Sequence, residues 1–333
     1  MAESHHRITL NDIARAAGVS VSCVSLALRD SPEIGASTRA RLREVAARLG
    51  YRPDPALAAL AAYRSRRRPA AFRSVIAYIG DAARPARSDN IRRAVLERAP
   101  QLGYRIDSFT MGSPAADWPA LLRACRSRGI RGIFLGPRLR FDEPFPEVEE
   151  ARDFAFITIG YSARLDGIHR VSTNQFLDMV RHVDGLRQAG FTRPGLWCPA
   201  SADGRVNHQF SAGFFAAYLQ SGIPAPAILA KDPVPKIALR RWIRQEAIDA
   251  VIGLPHHVEA LRRAGCGPDR IPGFSCFDWD GRPEVRALRG MDYRPEFLAR
   301  EAVDALHAAL LQNRVGLGPD APLTLFNAVA RLG

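Results

Sequence analysis

The sequence is almost without lysine: of its 47 lysines and arginines only Lys231 and Lys236 are lysines, and arginine supplies the other 45. A genome rich in GC explains such a skew without any function, so the net charge of +13 does not by itself choose between a polyanionic partner and an acidic membrane surface. Cysteine is scarce as well. Cys23, Cys125, Cys198, Cys266 and Cys276 are odd in number, scattered, and never form a C-x-x-C pair, which excludes a disulfide framework and a thiolate zinc site. They are expected to be reduced packing residues. No apolar run approaches the roughly 20 residues of a membrane span, and residues 1–30 carry charges where a signal peptide needs its apolar segment. The expectation is a cytoplasmic protein.

Catalytic patterns are missing too. G-x-S-x-G occurs nowhere, so Ser201 and Ser211 lack a nucleophile elbow, and no glycine-rich loop leads into Lys-Ser/Thr. His5-His6 and His256-His257 have no carboxylate or cysteine neighbours at ligand spacing along the chain. Neither an enzyme, a metal site nor a cofactor is expected.

What is present is apolar material for substantial cores, 47% of 333 residues, enough for two or three domains. The charge also has a location. Residues 1–68 hold twelve arginines against six acids, a net of +6, and the other 265 residues hold only +7. Genome bias does not predict that asymmetry. The run Arg64-Ser-Arg-Arg-Arg-Pro69 closes the basic region like a linker boundary, although a solvated linker would read the same way.

From Ser74 onward short apolar runs alternate with helical patterns. Strands are expected at 75–79, 104–109, 132–135, 154–159, 195–198, 250–253 and 274–277. Helices are expected near 91–102, 121–125, 175–189, 209–220, 236–246, 256–264 and 295–312. Such alternation means parallel sheets with helices on both faces, and over about 260 residues two subdomains rather than one sheet.

The amino-terminal segment has a different texture. Thr9-Leu-Asn-Asp12 is a variant capping box ahead of Ile13, Ala14 and Ala17 at helical spacing. Gly18-Val19 supplies a left-handed turn and a plug, and Ser20 is an N-cap for a second helix from Val21 to about Arg29. Two short helices across a glycine turn make a helix-turn-helix, whose second helix can lie in a major groove. A third helix is expected from the Ser37 cap to Leu49, closed by Gly50. Tyr51-Arg-Pro53 must then be extended, and Asp54-Pro55 opens a short alanine-rich helix to Tyr63 that is marginal alone in water.

These residues, Thr9-Leu-Asn-Asp-Ile-Ala-Arg-Ala-Ala-Gly-Val-Ser20, then Val24-Ser25, then Leu49-Gly-Tyr-Arg-Pro53 and the short helix, resemble the headpiece and hinge of the lac repressor / galactose repressor (LacI/GalR) transcription factors. The match is dense over about the first 63 residues. The resemblance implies a helix-turn-helix headpiece over 1–53, a hinge helix and basic linker over 54–73, and a periplasmic-binding-protein-like α/β core over 74–333. That core would comprise two doubly wound subdomains, one approximately 74–160 plus part of 280–320, the other 161–280 plus the carboxyl-terminal end. It further implies a homodimer on a roughly palindromic double-stranded DNA operator, probed by Val21, Ser22 and Leu26 in the major groove. Thr9, Leu10, Asn11, Ser20, Ser25, Arg29, Thr38 and Tyr51 would serve at phosphates or groove edges, and Leu57 and Leu60 in the minor groove, with Leu60 the wedge between base steps. Leu57 and Leu60 could instead pack on the core. Val21 and Leu26 are apolar where many relatives are polar, so they suit thymine methyls rather than donor-acceptor patterns.

In such a core a small-molecule effector, a sugar or related metabolite, binds between the subdomains near the carboxyl ends of strands. The positions where sugar-binding relatives grip hydroxyls become Asn174, Phe210 and the Leu254-Pro-His256 stretch. The cleft candidates are Asp81, Tyr161, Asn174, Arg205, His208, His256, Asp278 and Trp279. The function implied is an effector-controlled, sequence-specific transcriptional regulator, a repressor by family default. The competing class is a cytoplasmic small-molecule sensor without DNA activity, which leaves the headpiece unexplained.

Overall fold

The computed structural model describes residues 8–28, 33–51, 74–81, 85–111, 118–137, 148–163, 165–265, 273–279, 281 and 283–331. Three helices come first: α1 (Leu10–Ala17), α2 (Val21–Leu28) and α3 (Ala36–Arg48). Each is too short to persist alone, and together they bury Ile13, Ala14, Val24, Ala27, Leu42, Val45 and Ala46 in a small core of their own. The third helix starts one residue before the expected Ser37 cap. Its N-cap is Gly35, and Ser37 lies inside the first turn.

The rest of the described chain builds two sheets. The first has the order β10-β5-β4-β3-β1-β2, all neighbours parallel, from β1 (Ser74–Asp81), β2 (Tyr104–Met111), β3 (Gly132–Leu135), β4 (Ala155–Ile159), β5 (His169–Thr173) and β10 (Leu323–Phe326). One face packs on helices α4 (Pro85–Gln101) and α13 (Pro295–Leu311), burying Ile76, Val95, Phe134, Ile157 and Val303. The other packs on α5 (Trp118–Ser127) and α6 (Val148–Ala151), burying Leu122, Ile133, Leu135 and Phe156. Covered on both faces, β3 and β4 are buried at every residue, which is why they read as continuous apolar runs.

The second sheet has the order β11-β9-β8-β7-β6, from β6 (Pro194–Leu196), β7 (Ala250–Gly253), β8 (Gly273–Trp279), β9 (Arg289–Asp292) and β11 (Val329–Arg331). Here the expectation of parallel sheets needs correcting at one edge, since β11 runs antiparallel to β9. Helices α7 (Gln175–Gln188) and α9 (Gln209–Ser221) cover one face around Leu196, Phe214, Tyr218 and Ile252. Helices α10 (Lys236–Gln245) and α11 (His257–Arg263) cover the other around Trp197, Leu239, Trp242 and Val251. Two short helices, α8 (Ala200–Arg205) and α12 (Pro283–Arg286), complete this unit. Gly213 is required where α9 crosses α7, because a Cβ there would lie 2.3 Å from the Phe176 carbonyl oxygen.

The sheets divide the chain differently from the expected boundaries. β5 extends the first unit to Thr173, beyond 160, and β9 keeps the chain in the second unit to Asp292, beyond 280. The chain therefore crosses three times, near 174, 293 and 327. The crossings are tied together: the Asn174 N–H donates to the Phe326 carbonyl at 3.0 Å, the Ala328 N–H donates to the Asp178 carboxylate at 3.1 Å, and Arg294 donates to the Asn327 carbonyl at 3.0 Å. Burial pushes the Asp178 carboxyl up to about 6.

Cys125, Cys198 and Cys276 are buried and in no disulfide and Cys23 is half-buried, as packing residues should be; Cys266 lies outside the described residues. Burial pushes the thiols of Cys125 and Cys198 up to about 11 and 12, which keeps them unreactive. Among the described residues no helix is long and apolar enough to cross a membrane.

Candidate nucleic-acid interface and ligand cleft

The amino-terminal site is built by caps. The Thr9 N–H and hydroxyl donate to the Asp12 carboxylate at 2.9 and 2.7 Å, which anchors the start of α1 and places an acid at its positive end. Gly18, at φ 66°, ends that helix in the left-handed region, and Val19 is half-buried against the helical core. The Ser20 hydroxyl accepts from the Cys23 N–H at 3.1 Å and starts α2. Val24 and Ala27 bind α2 to the core, so its opposite side faces outward: Val21 is 40% exposed, Ser22 is exposed, and Ser25 and Leu26 are half-buried.

Of the other expected DNA-facing residues, Thr9, Asn11 and Ser20 are exposed and Thr38 is half-buried. Leu10 and Tyr51 pack against the three-helix core, which gives both a structural task beside any contact they make. Arg29, Leu57 and Leu60 lie outside the described residues. So do the expected hinge helix and the arginine run.

Between the two sheet units a half-open cavity of about 140 Å³ lies at the carboxyl ends of β4, β5, β7 and β8. The first unit contributes Ile91, Ile159, Tyr161, Ser172, Thr173, Gln175 and Leu298, and the second Arg205, Phe210, Leu254, Phe277, Asp278 and Tyr293. Phe210 is the hub of an aromatic wall: its ring lies 4.7 Å from that of Phe277 and 6.4 Å from that of Tyr293, the latter nearly parallel at 13°. Gln175 is almost fully buried; its Nε2 donates to the Ser172 hydroxyl at 3.3 Å and its Oε1 has no hydrogen-bond partner.

Three of the eight expected cleft residues, Tyr161, Arg205 and Asp278, line this cavity. Tyr161 is placed by Arg170, whose guanidinium lies under its ring and donates to the carbonyls of Gly160 and Ala163. His208 instead lines an open groove of about 630 Å³ on the flank, shared with Tyr161 and Arg170. There it is engaged by Asp203 at 3.1 Å, and Asp203 also accepts the Ser211 N–H, so this carboxylate fixes the α8–α9 connection.

The remaining candidates do structural work elsewhere. Asn174 caps α7, its Oδ1 accepting from the Leu177 N–H at 3.2 Å. The Trp279 indole donates to the Val285 carbonyl at 2.9 Å and lies under the Arg331 guanidinium. Asp81 ends β1, and its side chain is outside what the structure describes.

His256 is paired with Asp232 at 2.7 Å, and His257 reaches the same carboxylate oxygen at 3.5 Å. The expectation that this histidine pair has no carboxylate neighbour is thus corrected: Asp232 is brought in from 24 residues away. The three side chains lie close enough to share an ion. The tautomer argues otherwise. The Leu254 N–H donates to His257 Nδ1 at 3.1 Å, and burial pushes His257 down to about 4, so the neutral ring carries its proton on Nε2, the atom turned to the cluster. A donor there suits the Asp232 carboxylate and repels a cation. Trp197, stacked on His257 at 3.7 Å, holds the ring in this pose.

Gln175, Phe277 and Tyr293 were not foreseen as cavity residues, and Phe210 and Leu254 were foreseen only as departures from a hydroxyl-binding pattern. Their one common signal is position, at or just beyond strand ends or on the first turn of a helix.

The bacterial regulatory proteins of the lacI family match residues 9–54. No curated protein sequence matches the chain. Among solved structures the fold is that of the transcriptional regulator CelR in complex with cellobiose, at 16% identity and a TM-score of 0.58 over 98% of this chain and 99% of that one. It is also that of the lac repressor dimer bound to operator and the anti-inducer ONPF, at 17% and 0.55 over 97% of each chain. The transcription regulator CcpA of Lactococcus lactis superposes at 13% identity and 0.59, over 78% of this chain and 97% of its own. Residues 9–54 therefore carry the helix-turn-helix of the lacI-family bacterial regulatory proteins, and the chain as a whole has the fold of that family's repressors.

Proposed function

We propose that the chain is a homodimeric, sequence-specific DNA-binding repressor, cytoplasmic and without catalytic activity, whose hold on DNA is set by a small molecule in the cleft. The observation that carries this reading is the outward face of α2, with Val21 and Ser22 exposed beyond the Gly18 turn while Val24 and Ala27 anchor the helix from behind. An α-helix so presented fits a major groove, where Val21 and Leu26 would meet thymine methyls and Ser22 a base edge. Thr9, Asn11, Ser20 and Thr38 would approach phosphates, with Arg29 and the arginines at 64–68 adding charge and hence salt dependence. Leu60, and Leu57 beside it, would enter the minor groove from paired hinge helices.

The cleft supplies the control. A ligand there touches residues of both units, so it favours one arrangement of the two about their three crossings and shifts the population able to pair its hinges on DNA. CelR in its cellobiose complex and the operator-bound lac repressor dimer support both halves of the reading by fold.

Selection from a pool of random duplexes tests it. The full chain should enrich a roughly palindromic sequence, and Ser22→Glu, which changes only an exposed side chain, should abolish the enrichment. Absence of any selectivity at low salt would sink the proposal.

A further inference from the structure

We infer that the outer face of α9 is a self-association surface, on which a second copy of this chain lays the same face in a two-fold contact. The inference concerns the second sheet unit and stands apart from the DNA-binding reading, which pairs copies at their hinges.

Exposure comes first. Leu219 is 82% exposed, Phe215 48%, and Ile223, just past the end of the helix, 44%. At four-residue spacing they form one stripe with Ala212 and Ala216, opposite the side on which Phe210, Phe214 and Tyr218 are buried. Phe176, 39% exposed, stands on α7 where the two helices meet at Gly213. These four large side chains expose roughly 400 Å² of apolar surface, the size at which a patch marks a contact rather than scattered exposure.

Charge then says what covers it. Asp, Glu, Lys and Arg make up 24% of the chain, yet residues 206–230 contain none of them. A two-fold contact sets each side chain near its axis against its own copy, so a charge placed there meets its like. For a chain of net charge +13, a face without charge is where two copies can touch. A helix lying on a membrane surface would carry Lys or Arg on its polar side, and α9 has neither.

The size also suits a pair of copies. With apolar atoms somewhat over half of an interface, this patch supports about 700 Å² per partner and about 1,400 Å² in all, within the range of stable pairs. Two antiparallel copies of α9, each about 20 Å long, can set Phe215 and Leu219 of one over Ala212 and Ala216 of the other.

Sedimentation equilibrium of the full chain, without DNA or ligand, tests the inference. At micromolar concentration the wild-type mass should be twice that of Leu219→Arg, Leu219→Glu or Phe215→Arg, while Leu219→Met keeps the wild-type mass. Unchanged far-UV circular dichroism should show that the charged variants fold, as the exposure of Leu219 leads one to expect. Because the contact is apolar, the twofold difference should persist from about 0.1 to 1 M salt. Equal masses for the wild type and all three charged variants would overturn the inference, and so would a wild-type mass that halves at high salt. Binding of the wild type but not Leu219→Arg to phosphatidylglycerol vesicles, with equal masses in solution, would overturn it in favour of a membrane.

Discussion

The two sites are made in opposite ways. The helix-turn-helix surface is assembled from neighbours: Thr9 and Asp12, Gly18, and Ser20 with Cys23 lie within fifteen residues and set two helices by hydrogen bonds of three-residue span. The cleft is assembled from strangers, with Ile91, Gln175, Phe210, Phe277 and Leu298 brought together by two sheets and three chain crossings. One leaves small side chains exposed on the outward side of a helix, the other gathers aromatic and polar side chains around a half-open cavity. The difference separates the ways each can be damaged.

The comparison breaks most visibly where one core is emptied and the other is left intact. Leu42 is fully buried in the three-helix core, and Leu42→Ala should cost about 2–5 kcal/mol, more than so small a core can spare. Duplex binding should disappear while the urea unfolding of the two sheet units is unchanged. The reverse lesion is Gly213→Ala. With the Phe176 oxygen 2.3 Å from the new Cβ, α9 must move off α7, and urea unfolding should show about 3 kcal/mol lost from the unit that supplies Phe210.

A pH series sharpens the same contrast, because the large shifts that fall between pH 4 and pH 7, at Asp178, His182 and His257, lie in the second unit. Burial pushes His182 and His257 down to about 4, so each contributes stability that is present above 6.5 and lost as pH falls through 4. Asp178, pushed up to about 6, acts in the opposite sense: its contribution is full below 3.8 and lost as pH rises through 6. Two histidines against one aspartate leave a net loss on acidification of about 2–3 kcal/mol between pH 7 and pH 4, readable as a fall in the urea midpoint. A midpoint that rises on acidification would contradict these environments.

Smaller effects belong to the reading helix and its cap. Val21→Ala should weaken binding to the selected duplex by about 1 kcal/mol and leave non-selective binding unchanged, as a lost methyl contact would. Thr9→Ala should cost about 1 kcal/mol of thermal stability in the three-helix unit, since the Asp12 carboxylate loses the hydroxyl and keeps only the backbone N–H. A larger loss in DNA binding than in stability would assign Thr9 a phosphate as well.

Caps and glycine turns are legible in sequence because their partners are three or four residues apart. Thr9, Gly18 and Ser20 could therefore be assigned from spacing alone. The strands covered on both faces were legible for a related reason, since β3 and β4 are buried throughout and read as unbroken apolar runs. β5, β9, β10 and β11 were not. They are three to five residues long and half-exposed, and exist because a partner strand lies alongside: Arg170 beside Leu323, Asp292 beside Val329.

The same distinction runs through the cleft candidates. Asn174, His256 and Trp279 carry the right chemistry, but a helix N-terminus, a carboxylate 24 residues away and a loop carbonyl claim them first. By itself the sequence determined the helix-turn-helix, the alternating α/β core and the concentration of positive charge in the first 68 residues. All three follow from local rules of capping, periodicity and composition. Tertiary structure alone decided where the units divide, which nitrogen of His257 carries its proton, and that Phe210, Phe277 and Tyr293 line one cavity with Gln175. Those depend on which long-range partner reaches each group in the folded chain, and spacing along the sequence does not encode that.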